Sequence, residues 1–337
     1  MNATMSLDQK IHYPVMLKQI LSIISPQHGG IFIDCTFGGG GYSEAILKYS
    51  NTKVYALDRD NIAKTHAKNL IKKFPKRFNF FQDKFSNLEQ FVKLSLKPKA
   101  IIFDLGISSL QIADKKRGFS FHSKESLNME MGINKYSAYD VINKLDKKIL
   151  ANIIKVFGEE KDGKLIANKI DYYRKKKEIT SSEELSNIIK EAKKSYGNFK
   201  RNPSTKTFQA IRIFVNQELT ELILGLIAAT KLLESGGIIV VVSFHSLEDR
   251  IVKYFFNLYS NLKSNPSRYF PVTENKKILF KLINKKAQKP NKDEISNNVR
   301  SRSAKLRHVI RNDKSFFLPE DLKNKFNKYF ELENIKL

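Results

Sequence analysis

Three aspartates each close a short apolar run: Asp34 after Ile31-Phe32-Ile33, Asp58 after Val54-Tyr55-Ala56-Leu57, and Asp104 after Ile101-Ile102-Phe103. Runs of this length and character, bounded by turn residues, read as strands of a parallel sheet covered on both faces. Ligands of such sheets bind outside the carboxyl ends of the strands, so all three acids are expected on one rim. Clustered carboxylates there suit a hydroxyl-rich, cationic ligand and repel a phosphate-rich one. The first run leads into Gly38-Gly39-Gly40-Gly41, a turn whose backbone can adopt conformations that a Cβ forbids and can lie bare against a ligand. Asp58 follows Gly38 by 20 positions, the offset at which α/β nucleotide folds place a carboxylate on the ribose hydroxyls. Asp60 is expected to cap the helix that follows. A dinucleotide-dependent dehydrogenase does not fit, because Ser43 stands where its fingerprint needs a third glycine.

The elements that must hold these residues follow a βα rhythm up to about residue 114. Strands ending at Asp34, Asp58 and Asp104, and one from Phe78 to Gln82, alternate with helical patterns at Tyr42 to Tyr49, Asn61 to Lys73 and Phe85 to Leu96. From Lys115 to Ser204 the rhythm stops. Helical patterns run there from Ala138 to Asn143, Lys147 to Phe157, Leu165 to Lys176 and Leu185 to Lys194, the last opened by a capping box at Thr180-Ser181-Ser182-Glu183. A helix from Leu219 to Leu233, apolar nearly all round, reads as buried. It precedes a strand from Ile238 to Val242 that runs into Ser243-Phe244-His245-Ser246-Leu247-Glu248-Asp249-Arg250, which brings an imidazole to the same sheet edge. Strands at Lys277 to Ile283 and Ser303 to Ile310 complete the pattern. The expected architecture is α/β: a sheet domain of residues 1–114 and 205–337, interrupted by an all-helical subdomain over 115–204.

The chain has 337 residues, enough for a large core, and carries 60 Lys plus Arg against 34 Asp plus Glu, a formal charge of +26. Such a field attracts polyanions, with nucleic acid the leading class. Tyr172-Tyr173-Arg174-Lys175-Lys176-Lys177 and the run from Lys193 to Arg201 are its densest basic stretches. Cys35 is the single cysteine, which excludes an internal disulfide and a multi-cysteine metal site. The N-terminus has no signal-peptide pattern and no run approaches the roughly 18 apolar residues of a membrane span, so a cytoplasmic protein without a membrane partner is expected.

Several of these stretches recur as a set: His12-Tyr13-Pro14-Val15, Asp34-Cys35-Thr36-Phe37-Gly38, Asp104-Leu105-Gly106-Ile107-Ser108-Ser109, Arg117-Gly118-Phe119-Ser120-Phe121, Gly158-Glu159-Glu160, Thr207-Phe208-Gln209-Ala210 and the His245 segment. Together they resemble the bacterial cytosine-N4 methyltransferases of small-subunit ribosomal RNA, the RsmH (MraW) family, over nearly the whole chain. The resemblance implies a class I methyltransferase (Rossmann-like) sheet with the helical insert, S-adenosyl-L-methionine as methyl donor, no metal, and a cytosine of small ribosomal subunit RNA as acceptor. By motif position, the cofactor would meet Gly40, Gly41, Tyr42, Asp58, Phe85, Asp104 and Gln111. The chemistry of the amine would fall to Asp104, to Ser108 and Ser109, and to His245. The basic insert would hold the RNA backbone; a homodimer is left open. Departures from the family's usual residues stand at Gly39 (usually Arg), Tyr42 (His), Leu110 (Pro), Asn128 (Asp), Glu130 (Arg) and Asn202 (His). The substitutions in the glycine turn and the charge reversal at Glu130 also motivate a rival reading, a non-catalytic RNA-binding ribosome-assembly protein that retains the fold.

Overall fold

The computed structural model describes residues 14–193, 202–260 and 278–337, without the side chains of Leu94, Ser109 and Lys323. His12 and Tyr13, the stretch from Lys194 to Arg201 and Lys277 lie outside the described residues. Among the described residues, seven strands form one sheet: β1 (Gly30–Asp34), β2 (Thr52–Leu57), β3 (Phe78–Phe81), β4 (Ala100–Asp104), β5 (Ile238–Ser243), β6 (Phe280–Leu282) and β7 (Lys305–Arg311). Their order is β3-β2-β1-β4-β5-β7-β6. Pairing is parallel as far as β5, and β7 inserts antiparallel between β5 and β6. This is a class I methyltransferase sheet, Rossmann-like in its parallel part.

Alternation along the strands divides the core. Phe32, Val54, Ile102, Val240 and Leu306 pack on one side with α1 (Leu17–Ile24), α2 (Gly41–Leu47) and α3 (Ala63–Lys73). Ile33, Ile101, Phe103, Val241 and Val309 face the other side, where α11 (Glu218–Leu232), α12 (Ser246–Tyr259) and α13 (Glu320–Glu333) cover them. Fully burying a side chain such as Phe103 or Phe255 stabilises by about 1.5–3 kcal/mol, and this double cover is what keeps the strand ends in register. Between β4 and β5 come α5 (Ser109–Ala113), α6 (Ala138–Lys144), α7 (Lys147–Phe157), α8 (Gly163–Arg174), α9 (Ser182–Ala192) and α10 (Thr205–Asn216). Ile153, Ile166 and Leu185 of this stretch belong to the same continuous apolar cluster as Ile101 and Leu222. Among the described residues, no single helix is long and apolar enough to cross a membrane.

Three local expectations need correction. Phe85 to Leu96 is not one helix: 3-10 turns at Phe85–Asn87 and Leu94–Leu96 flank the single turn α4 (Leu88–Phe91), and Val92 is extended. The helical spacing there reflected burial of Leu88 and Val92 against the sheet rather than a continuous helix. The cap of α9 lies one residue later than expected: Ser181 accepts from Glu184 N, and the Glu184 carboxylate takes Thr180 N. The buried helix begins at Glu218, because Gln217 adopts φ 53° and turns α10 into α11 through 53°.

Candidate active site

The strand order reverses between β1 and β4, and at their carboxyl ends lies a cavity of about 170 Å³. Gly38, Gly39 and Gly41 wall one part of it. Gly38 (φ 52°) and Gly40 (φ 83°) hold the left-handed conformations that close the turn. Gly40, expected to meet the cofactor, does not line the cavity; a Cβ there would lie 2.7 Å from the Phe37 ring. At Gly41 a Cβ would fall 2.2 Å from Pro14 Cγ, whereas at Gly39 it would meet nothing within 4 Å. Gly41→Ala is therefore expected to lower the unfolding midpoint and weaken ligand binding, while Gly39→Ala leaves the midpoint unchanged or slightly raised. Thermal melts of the two variants check this, and equal losses would contradict it.

The strand-end acids divide by role. Asp34 is fully buried and does not line the cavity; its oxygens accept from Ser43 Oγ (2.7 Å) and Thr36 N (3.2 Å), so it braces α2 instead of facing a ligand. Asp58 lines the cavity and its two oxygens take Gly38 N (2.7 Å) and Asp60 N (2.8 Å), tying the glycine turn to the end of β2. Asp104 lines it too, held by its own N–H on Thr36 Oγ1 (2.7 Å), and its Oδ1 is buried without a hydrogen-bond partner. Burial, then the neighbouring Asp34 charge, pushes the Asp104 carboxyl up to about 8. Burial likewise raises Asp34 and Asp58 to about 6, against the lowering effect of their hydrogen bonds. Asp58 and Asp104 in the crevice, with Asp34 buried beside it, shed charge until a cation or donor arrives.

Tyr42 is buried on α2, lines the cavity, donates to Val15 O and lies within hydrogen-bonding reach of Asp104. Phe85 also lines it, edge-on to Phe103 at 5.3 Å, in a space that exists because Gly225 on α11 has no Cβ to meet the ring. Ser108 caps α5: its hydroxyl accepts from Gln111 N (3.2 Å), and Gln111 Oε1 accepts from Ser108 N (2.9 Å). Gln111 lines the cavity but spends its Nε2 on Asp60 (2.6 Å), which also pairs with Arg117 (2.7 Å) and takes Ile62 N (3.0 Å). Asp60 is thus a hub joining β2 to α5; it does not stand at the N-cap of α3, which is Ile62, and takes that residue's N–H instead.

His245 does not line this cavity. It caps α12 through Nδ1, which accepts from Glu248 N at 3.4 Å, while Glu248 Oε2 takes the N–H groups of Phe244 (2.8 Å) and His245 (3.2 Å). With Nδ1 accepting, the neutral ring carries its proton on Nε2, which sits 3.2 Å from Glu248 Oε1 without an aligned hydrogen bond. Glu218 joins His245 and Glu248 in one group of potential ligands, and Arg212 already supplies it a cation through bonds of 2.8 Å to each Glu218 oxygen. His245 lines a second cavity, which shares Ile107 and Phe244 with the first.

Sequence reasoning missed the residues that hold these walls. Arg59 donates to Gly132 O (2.6 Å), Ile133 O (3.0 Å) and Asn216 O (2.7 Å). Fully buried Asn216 accepts from Met131 N (2.7 Å) and donates to Met129 O (2.8 Å). The two unusual residues of that loop bond each other: Asn128 Nδ2 donates to Glu130 Oε2 (2.6 Å) and Glu130 N to Asn128 Oδ1 (2.7 Å). In the basic run, Arg174 is spent on Ile142 O and Leu145 O, leaving Tyr172, 52% exposed, with Lys176 Nζ 4.1 Å from its ring centroid.

Residues 9–312 match the MraW methylase family. The chain belongs to that family. Within it, the chain is 44% identical to the ribosomal RNA small subunit methyltransferase H of Ehrlichia canis (strain Jake) over 308 residues, 89% of this chain and 100% of the relative. It is 43% identical to the protein of that name from Ehrlichia ruminantium (strain Welgevonden) over 304 residues, 89% of this chain and 99% of the relative. Among solved structures, an rRNA methylase from Streptococcus thermophilus overlays 87% of this chain and 96% of its own at 11% identity and a TM-score of 0.39, too loose an overlay to place residues.

Proposed function

We propose that this protein transfers the methyl group of S-adenosyl-L-methionine to the N4 amine of a cytosine in small-subunit ribosomal RNA. The observation that carries the reading is Asp104, whose buried, unpartnered oxygen belongs to a cavity also walled by bare glycine backbone. A buried acceptor left unpaired is costly, and a cationic or N–H-bearing ligand removes that cost. The lining fits the donor in other ways. Asp58 keeps a free lone pair on each oxygen for the ribose hydroxyls. Phe85 offers a ring to the adenine or the sulfonium. Gly41 and its neighbours give backbone to the methionine end, near Tyr42 and Gln111. When bound, the cofactor supplies an electrophilic methyl group.

The protein's own task is then mostly positioning. The cytosine amine shares its lone pair with the ring, so it must be held with that pair aimed at the methyl. Asp104 accepts an amine N–H and takes up the proton released, for which a carboxyl raised to about 8 is well matched near neutral pH. Ser108 serves as the cap that sets the loop after β4, with Ser109 the first residue of α5. His245 acts on the acceptor side. Residues 1–114 with 205–337 form the methyl-transfer core, and 115–204 the helical part that grips RNA, where exposed Tyr172 and Lys176 suit a nucleotide. The net charge of +26 favours such a partner.

Titration calorimetry with S-adenosyl-L-methionine separates the enzyme from a non-catalytic assembly protein, for which no binding is expected. The pH dependence is sharper still. A nearby cation favours ionised Asp104, so below about 8 the sulfonium must displace a proton and binds less tightly. S-adenosyl-L-homocysteine has the same amino-acid end but no sulfonium charge. The preference for methionine over homocysteine forms should rise by about tenfold from pH 6 to 8.5; a flat ratio would place Asp104 away from the sulfonium.

A further inference from the structure

The second cavity, about 230 Å³, abuts the first across Ile107 and Phe244. Phe119, Phe121 and Phe208 line it, with the Phe121 and Phe208 rings edge-on at 4.8 Å and 71°. Its polar groups come mainly from one face of α10, where Thr205, Phe208, Gln209 and Arg212 recur at helical spacing. Two nitrogens of the Arg212 guanidinium, Nε and Nη2, are held by Glu218 at 2.8 Å each, which fixes the plane and leaves Nη1 outside that fork. Gln209 Nε2 donates to Phe157 O (3.0 Å), which orients the amide and leaves its Oε1 as acceptor. Glu218 and the adjacent buried Glu248 balance the arginine, so the cavity has no surplus positive charge to draw a phosphate.

An aromatic slot with a fixed cationic donor at one side fits a heterocyclic base better than sugar or phosphate. We infer that the second cavity receives the target cytosine swung out of its RNA stack, with Nη1 of Arg212 donating to N3 of its pairing edge and Phe121 and Phe208 packing on the ring. The inference rests on the methyl-transfer reading above and names the acceptor half of that site. Cytosine presents acceptors at both O2 and N3, whereas uracil presents an N3–H donor that would confront the guanidinium. N4, next to N3, then falls toward the wall shared with the Asp104 cavity.

The test uses the full-length protein, small subunits lacking the modification, and otherwise identical subunits with uracil at the target position as competitors. Arg212→Lys keeps a charge for Glu218 but loses the fork. It should lower kcat/KM by about 10- to 100-fold and narrow the preference for cytosine over uracil, with affinity for S-adenosyl-L-methionine unchanged. Phe121→Leu leaves the Arg212–Glu218 pair intact and should lower turnover in the same way, so the assignment is tested even if Arg212→Lys fails to fold. Wild-type rates and undiminished discrimination in a folded variant of each would overturn the base-pocket assignment alone. Wild-type protein that places no methyl on cytosine would overturn the methyl-transfer reading and this inference with it.

Discussion

Asp104→Asn is expected to lower kcat for methyl transfer by about 10³-fold and, at pH 8.5, to weaken S-adenosyl-L-methionine by about tenfold, to the affinity that protonated Asp104 gives, with the fold intact. The side chains are nearly the same size, and the backbone bond from residue 104 to Thr36 Oγ1 does not involve the carboxylate. What is lost is an acceptor able to take a proton at the end of β4. The same change bears on stability, with a defined sign. Burial raises the Asp104 carboxyl from 3.8 to about 8, so between those values the folded protein keeps a proton that the unfolded chain releases. Asp104 therefore makes the fold less stable as pH rises through that window, and asparagine removes the effect. The variant's gain in melting temperature should be larger at pH 8 than at pH 5. Loss of activity together with a stability gain that grows with pH marks a functional carboxylate, whereas a purely structural one would lose both.

Asn216→Leu is expected to destabilise the protein by roughly 3–5 kcal/mol and to cut activity, although the residue touches neither cavity. Leucine fills the space of asparagine but strands Met131 N and Met129 O, both bonded to the buried amide, and leaves Asn134 Nδ2 with Val215 O alone. Met131 lines the first cavity and Met129 the second, so one side chain sets both walls. The loop also carries backbone strain: Met129 (φ 57°) and the β-branched Ile133 (φ 54°) lie in the left-handed region. Arg59 and Asn216 hold it there. Urea unfolding should show a lower midpoint with an unchanged slope, and methyl transfer should fall further than cofactor affinity. A midpoint within measurement error of wild type would refute this account of the loop.

Much of this framework could be read from residue order, because strand period and glycine placement are local. Asp58 follows Gly38 by 20 positions, and the two do meet, Gly38 N on Asp58 Oδ2. The run from Ile238 to Val242 likewise became β5, with the His245 segment at its end. Facing is less legible than position. Asp34, Asp58 and Asp104 end strands alike, yet Asp34 turns inward to Ser43, because partners such as Ser43 Oγ decide where a terminal carboxylate points. The missed residues act over long separations: Arg59 reaches carbonyls 73 and 157 positions away, and Asn216 binds a loop 85 positions upstream. No periodic signal encodes such bonds. One signal was available, since Phe208, Gln209 and Arg212 share a helical face with Thr205, but among the surrounding apolar residues it reads as ordinary core.

The most direct test is transfer of labelled methyl from S-adenosyl-L-methionine to small ribosomal subunits of a strain lacking the enzyme, followed by digestion and mapping of the labelled nucleoside. The account predicts N4-methylcytidine at one position of the subunit RNA, and its loss with Asp104→Asn. Label on a ring carbon, on another base or only on DNA, or full labelling by Asp104→Asn, would contradict it.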